Sequence, residues 1–219
     1  MRRNNLKKLY VTALLATLFW TSHVQAERID IGHFSQNNLD AWNEKSFVGN
    51  TRYEIVNSEN LTFVKAETNA SASGLFREID IDLNKTPYLN WSWKVANTYQ
   101  GNDERSKDGD DYPARIYVVV SGGLFFWKTR AINYVWSSNQ PVDTKWENAY
   151  TKNARMIALR SGENKTNQWL TEKRNIRDDL KQLFGEEIDE INAIAIMSDS
   201  DNSGQSATAW YGDIYFSSE

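Results

Sequence analysis

The sequence contains no cysteine, and histidine and proline are rare, with two and three residues in a chain of 219. Without cysteine, neither structural disulfides nor thiol catalysis is available. Because His33 is the one histidine outside the N-terminal segment, a histidine-based triad and a histidine-rich zinc site are not expected. The chain also has no glycine-rich phosphate loop, so the common nucleotide-binding motifs are missing.

The N-terminal segment has the three parts of a secretory signal peptide. Four basic residues open it, an apolar run of about a dozen residues follows at 9–20, and residues 24–26 suit cleavage after Ala26. That run is too short to span a bilayer, and no later stretch is apolar enough to do so. We therefore predict a signal peptide at 1–26 and a single domain at 27–219. The expected location is periplasmic or secreted, with no membrane insertion after signal removal.

The charge of the mature chain limits its partners. Residues 1–26 hold four of the 25 basic residues and none of the 29 acidic ones. The mature chain therefore has 21 basic and 29 acidic residues, a formal charge of −8. Such a charge argues against nucleic acid and anionic lipid as partners.

Short segments of alternating apolar and polar residues recur along the chain, as in half-buried β-strands. Segment 88–95 is a clear case, because Trp91 and Trp93 share one face with two aliphatic residues. One helix is expected after Asn175, with an apolar stripe and with Gly185 as its stop signal. The pattern predicts an all-β fold, an antiparallel jelly-roll β-sandwich with one short late α-helix.

The strongest strand signal lies at 114–120. Its alternation places Ala114, Ile116 and Val118 on one face, which we interpret as core. Arg115 and Tyr117 fall on the opposite face. A cation beside a phenol on a strand of a sandwich indicates a ligand-binding surface, and we expect both side chains to point into a hollow.

Charged and aromatic residues on several other strands and turns could complete such a site. Aromatic rings stack on sugar faces, and charged groups bind hydroxyls or uronates, so the expected partner is a carbohydrate or another cell-envelope ligand. The alternative interpretation is that these residues form solvated faces and internal ion pairs. The predicted ligand-binding residues are Asp110, Asp111, Arg115, Tyr117, Tyr134, Trp136, Arg174, Asp199 and Asp201.

Two acidic turns, at 110–111 and 199–204, offer a metal-binding or an acid–base interpretation. The second begins like a calcium loop, but its twelfth position is Trp210 rather than glutamate, which rules out an EF-hand. Asp and Asn also stabilise such turns through their own backbone, which is the structural interpretation. No cofactor is predicted with certainty.

Several longer motifs resemble one exported bacterial family, domain of unknown function 3047. They are Trp91-Ser-Trp-Lys-Val95, Gly109-Asp-Asp-Tyr-Pro-Ala-Arg-Ile-Tyr-Val-Val119, Asn133-Tyr-Val-Trp136, Ile194-Ala-Ile-Met-Ser-Asp-Ser-Asp-Asn-Ser-Gly204 and Tyr211-Gly-Asp-Ile214. The resemblance implies no particular activity. It implies a fold similar to galactose-binding-like jelly rolls, in which a calcium ion often lies near the first and last strands. On that basis a structural calcium ion is left open, with Asp213 as the nearest candidate ligand.

Three functions follow from these patterns. The first is non-catalytic binding of a carbohydrate or cell-envelope component. The second is a glycosidase or lyase with paired carboxylates, which requires two carboxyl groups about 5 to 10 Å apart across a cleft. The third is a structural interaction module, which predicts an exposed apolar patch and no concave polar pocket.

Overall fold

The computed structural model describes residues 26–58 and 61–219. The predicted signal peptide lies outside the described residues, except for Ala26. Within the described ranges, no helix is both long and apolar enough to cross a membrane.

The described residues form fourteen strands and one α-helix. The strands are β1 (Arg28–Gly32), β2 (Asn43–Val48), β3 (Arg52–Ser58), β4 (Leu61–Asn69), β5 (Ala72–Asp82), β6 (Tyr88–Val95), β7 (Ala114–Val120), β8 (Arg130–Ser137), β9 (Lys145–Glu147), β10 (Ala154–Ser161), β11 (Leu170–Asn175), β12 (Glu190–Asp199), β13 (Ser206–Tyr211) and β14 (Ile214–Ser217). The helix α1 spans Ile176–Phe184.

The strands build two sheets that pack face to face. Sheet 1 has the order β1-β14-β6-β13-β4-β3, with β11 also paired to β6. Sheet 2 has the order β2-β5-β12-β7-β8-β10-β9. All of these pairs are antiparallel except β8 with β10, which is parallel. The β-sandwich with one short late helix confirms the predicted fold class.

Large aromatic rings fill the space between the sheets. Trp91 and Trp93 of β6 point inward from sheet 1, as their alternation predicts, and both are almost completely buried. They meet two rings of β8 in sheet 2. The ring centres of Trp91 and Tyr134 are 5.4 Å apart, and those of Trp93 and Trp136 are 5.9 Å apart. The core therefore depends on aromatic packing between β6 and β8.

This packing corrects one expectation from the sequence. The sequence predicts Tyr134 and Trp136 as ligand-binding residues, but both are fully buried between the sheets. Successive residues of a strand point to opposite faces, so Asn133 is on the outer face of β8 instead. The Tyr134 hydroxyl can be buried because it donates a hydrogen bond to Asp179 of α1 at 2.6 Å.

The predicted helix is confirmed together with both of its end signals. The Asn175 side chain accepts a hydrogen bond from the Asp178 backbone N–H at 3.2 Å, which satisfies a donor of the first turn. Gly185 ends the helix with a φ of 73°, and its N–H donates to the carbonyl of Lys181. Ile176 and Leu180 are fully buried and anchor the helix to the core.

Candidate functional site

A cleft of about 460 Å³ lies on the face of sheet 2 that points away from the core. The central strands β12, β7 and β8 contribute its lining through Met197, Tyr117 and Asn133. Small side chains leave this face hollow, since Ala72 and Ala154 also line the cleft. The antiparallel register of β7 and β12 brings the start of one strand beside the end of the other.

Arg115 and Asp199 form a buried ion pair in the cleft. The guanidinium donates from Nε to Asp199 Oδ1 at 3.0 Å, and Nη2 contacts the other carboxylate oxygen. Nη2 also donates to the Asp110 carbonyl at 3.1 Å. Arg115 is only 2% exposed. Because these acceptors already engage the cation, Arg115 orders the site and is not a free anion receptor.

Asp111 joins the two acidic turns at 110–111 and 199–204. Its carboxylate accepts hydrogen bonds from the backbone N–H groups of Asn202 at 3.2 Å and Ser203 at 2.5 Å. Oxygen atoms of Asp111, Asp199 and Asp201 all lie within 4.8 Å of one another. The structure thus brings together residues that are far apart in the sequence.

Burial changes the protonation behaviour of two cleft carboxyl groups. Desolvation raises the pKa of Asp110, while the charge of Arg115 and a hydrogen bond from Asn148 oppose this effect. Asn148 Nδ2 lies 3.0 and 3.1 Å from the two Asp110 carboxylate oxygens. Desolvation also raises the pKa of Asp201, and the neighbouring negative charge of Asp111 adds to the shift.

Exposed aromatic rings line the cleft from both ends of the sheet. Phe47 of β2 is 54% exposed, and Tyr150, in the loop before β10, is 55% exposed. Phe76 lies between Phe47 and Tyr117, with ring centres 6.4 Å from each. The Tyr150 hydroxyl is held by donation to the Lys107 carbonyl at 3.2 Å. These rings provide flat apolar surfaces beside the polar floor.

Asn133 is a site residue that the sequence interpretation missed. It is 1% exposed and lines the cleft, and its side-chain Oδ1 has no hydrogen-bond partner among the described residues. A buried polar atom without a partner costs free energy, so it is a position where a ligand donor is favourable. The alternation along β8 could have predicted this position, because Asn133 must point away from the face that carries Ile132 and Tyr134. Phe47, Asn148 and Tyr150 lie in segments for which the sequence offered no such signal.

Two further predicted site residues lie elsewhere. Arg174 pairs with Asp179 through two hydrogen bonds of 2.9 and 2.5 Å, next to the buried Tyr134 hydroxyl. Asp213 accepts hydrogen bonds from the backbone and the hydroxyl of Ser35, at 2.7 and 2.5 Å. Of the predicted residues, the structure therefore brings together Asp110, Asp111, Arg115, Tyr117, Asp199 and Asp201.

The carboxylates offer little room for a calcium ion. Calcium takes six to eight oxygen ligands in proteins. Both Asp199 oxygens face Arg115, and both Asp111 oxygens accept backbone hydrogen bonds. At Asp213, both oxygens are used by Ser35. A cation at either place would therefore compete with these donors for the carboxylate oxygens.

The chain belongs to the family described as Protein of unknown function (DUF3047), whose model matches residues 40–215. This assignment confirms the family resemblance of the sequence motifs. No curated protein sequence matches the chain at a significant level.

Solved structures with a similar arrangement of strands include carbohydrate-binding modules. A family 11 module from Clostridium thermocellum, solved with a β-1,3-1,4-mixed-linked tetrasaccharide, has 10% identity and a TM-score of 0.47, and the match covers 86% of this chain and 94% of that one. A family 30 module of a cellulosomal cellulase from the same organism has 12% identity and a TM-score of 0.48, with 82% and 92% covered. The xyloglucanase domain of a Sinorhizobium fredii type three effector has 13% identity and a TM-score of 0.44, with 88% and 97% covered. At such identities the likeness concerns the fold alone.

Proposed function

We propose that the protein binds a glycan, without turning it over, in the cleft on sheet 2. One observation carries this proposal: exposed Phe47 and Tyr150 rings border a floor of buried polar groups. Sugars present both an apolar face and a rim of hydroxyls, and the cleft offers a matching surface for each. A volume of about 460 Å³ is within the range of small-ligand sites.

The charge of the cleft selects among glycans. Asp110, Asp199 and Asp201 line it, and Arg115 is the one cation among its described lining residues. Because Arg115 is already engaged by Asp199, a uronate would meet mostly like charge. Carboxylates accept hydrogen bonds from hydroxyl and ammonium groups. The ligand that fits is therefore a neutral or amino sugar, which refines the initial expectation that included uronates.

We also propose an extracytoplasmic location for this binding. The signal-like segment at 1–26 and the acidic mature chain support export and argue against nucleic acid as a partner. A carbohydrate or another component of the cell envelope is the ligand class that such a protein would meet. A structural interaction module is disfavoured by the polar cleft, which that function does not require.

A glycan array containing neutral, amino and uronic-acid sugars tests the proposal. We expect binding to neutral or amino glycans, and a loss of about tenfold in affinity for Tyr150→Ala, since tenfold corresponds to about 1.4 kcal/mol. Tyr88→Ala on sheet 1 is the matched control and should bind like the native chain. Native protein that binds no glycan on the array, or that binds only uronates, would overturn the proposal.

A second candidate is a carboxylate-dependent glycoside hydrolase. It is favoured by the raised pKa values of Asp110 and Asp201, because a carboxyl group acts better as a general acid when burial raises its pKa. The test is the release of reducing ends from any glycan that binds. Turnover that is lost in Asp110→Asn, while binding is retained, would establish catalysis in place of simple binding.

A further inference from the structure

We infer that the glycan is an extended chain that runs from the cleft into a second cavity beside Trp127. This inference rests on the proposed function and adds the size of the ligand to it. The second cavity measures about 420 Å³ and is lined by Trp127, Arg130 and Asn153, among others. Thr151 and Ala154 line both cavities, so the two adjoin at these residues, and together we call them the groove.

The pairing of β8 with β10 explains why the groove is open at this point. Ala154 of β10 pairs with Ala131 of β8, and both line the second cavity. Two residues further along β8, on the same face, Asn133 lines the first cavity. Two residues of a strand span about 6.7 Å, so the cavities adjoin along β8. Alanine side chains between them leave a passage that larger residues would close.

Trp127 gives the second cavity an aromatic wall. The side chain is 58% exposed and contacts the Phe125 ring edge-on, with ring centres 5.3 Å apart. Asn153 Nδ2 donates to the Trp127 carbonyl at 2.6 Å, which fixes the loop against the start of β10. Tryptophan therefore offers a stacking surface in the second cavity, as Tyr150 and Phe47 do in the first.

The polar groups of the second cavity also suit a neutral chain. The guanidinium of Arg130 makes two hydrogen bonds to Glu186, at 2.8 and 3.0 Å, which offset its charge. Asn153 and the threonines at 129 and 151 add amide and hydroxyl groups to the lining. In both cavities the arginine of the lining is already paired with a carboxylate, so neither favours an anionic terminal group. A chain of neutral or amino sugars can pass through both.

The test is an array of linear oligosaccharides of glucose, N-acetylglucosamine, glucosamine, mannose and galacturonate, each printed at lengths from two to six residues. For the sugar that binds, we expect affinity to rise at least tenfold from two residues to six. Trp127→Ala should remove this rise and leave disaccharide binding unchanged. Trp169→Ala is the matched control and should retain the rise, because Trp169 directly precedes β11 and its ring packs against Phe63 of sheet 1.

A second variant tests whether the effect of Trp127→Ala is only a local change around the tryptophan. Ala131→Phe places a large side chain in the passage and should also abolish the gain with length, while the melting temperature confirms folding. If affinity is equal at all lengths, or if both variants keep the gain, the extended-chain inference is wrong and the proposed function stands. If the native protein binds none of these sugars at any length, the proposed function itself fails.

Discussion

The guanidinium of Arg115 and the carboxylate of Asp199 face each other inside the cleft, each at most 3% exposed in its side chain. Nε of Arg115 donates to Asp199 Oδ1 at 3.0 Å, and the Asp199 backbone is tied to Tyr112. The pair thus joins the start of β7 to the end of β12. In the floor of the cleft, this ion pair holds the two acidic turns together.

Arg115→Met should destabilise the fold strongly. Removing the cation leaves Asp199 buried without its partner, and breaking a buried pair in this way costs about 3–5 kcal/mol. The measurement is urea unfolding at neutral pH. Arg52→Met is the matched control, because Arg52 pairs with Glu54 on the surface and should contribute less than about 1 kcal/mol. Equal losses in both variants would contradict this account of the pair.

Tyr134→Phe should reduce stability without changing glycan affinity. The hydroxyl donates to Asp179 at 2.6 Å in the core, and a hydrogen bond to a charged group contributes about 1.5–3 kcal/mol. Urea unfolding and the glycan array measure the two effects separately. A change in affinity at unchanged stability would show that Tyr134 acts as a ligand-binding residue, as the sequence had suggested.

The strand at 114–120 could be predicted in detail because two independent patterns agree there. The apolar residues on one face predict packing against the core. Arg115 and Tyr117 on the other face predict a polar surface or a cavity. Strand β8 is harder to predict, because both of its faces mix apolar and polar residues. Tyr134 can be buried only if its hydroxyl finds a partner, and that partner, Asp179, lies 45 residues away. No local pattern contains such information.

The assembly of the acidic cluster could not be predicted for the same reason. Asp111 precedes β7, and Asp199 ends β12. They meet because these strands pair in antiparallel fashion, with Arg115 opposite Met197. The sequence indicates two acidic turns but not which strands are neighbours. Sheet order is determined by packing between distant segments, so a site built across several strands becomes visible only in the structure.

Gly109→Ala should disturb the loop that carries Asp110 and Asp111. A β-carbon at this position would lie 2.6 Å from the backbone N and C atoms of Asp103, which is far inside van der Waals contact. Overpacking of this kind costs about 1–3 kcal/mol, and we expect glycan affinity to fall as well. Thermal unfolding and the array measure both effects. Gly101→Asn should be nearly neutral in both measurements, since a β-carbon there meets nothing within 4 Å and Asn tolerates the positive φ of 74°. Equal effects at the two glycines would refute the steric argument.

Asp110→Asn should become more stable relative to the native chain as the pH rises. Burial raises the pKa of Asp110 in the folded state above its unfolded-state pKa of about 3.9. The stability that Asp110 contributes is therefore complete below the unfolded-state pKa and is lost as the pH rises through the folded-state pKa. Asp82→Asn is the control with the opposite sign, because a hydrogen bond from the Asn84 N–H lowers the pKa of Asp82. Urea unfolding between pH 3 and 8 measures the free energy of unfolding of each variant relative to the native chain. This difference should rise with pH for Asp110→Asn and fall with pH for Asp82→Asn. Slopes of the same sign would contradict the buried environment of Asp110.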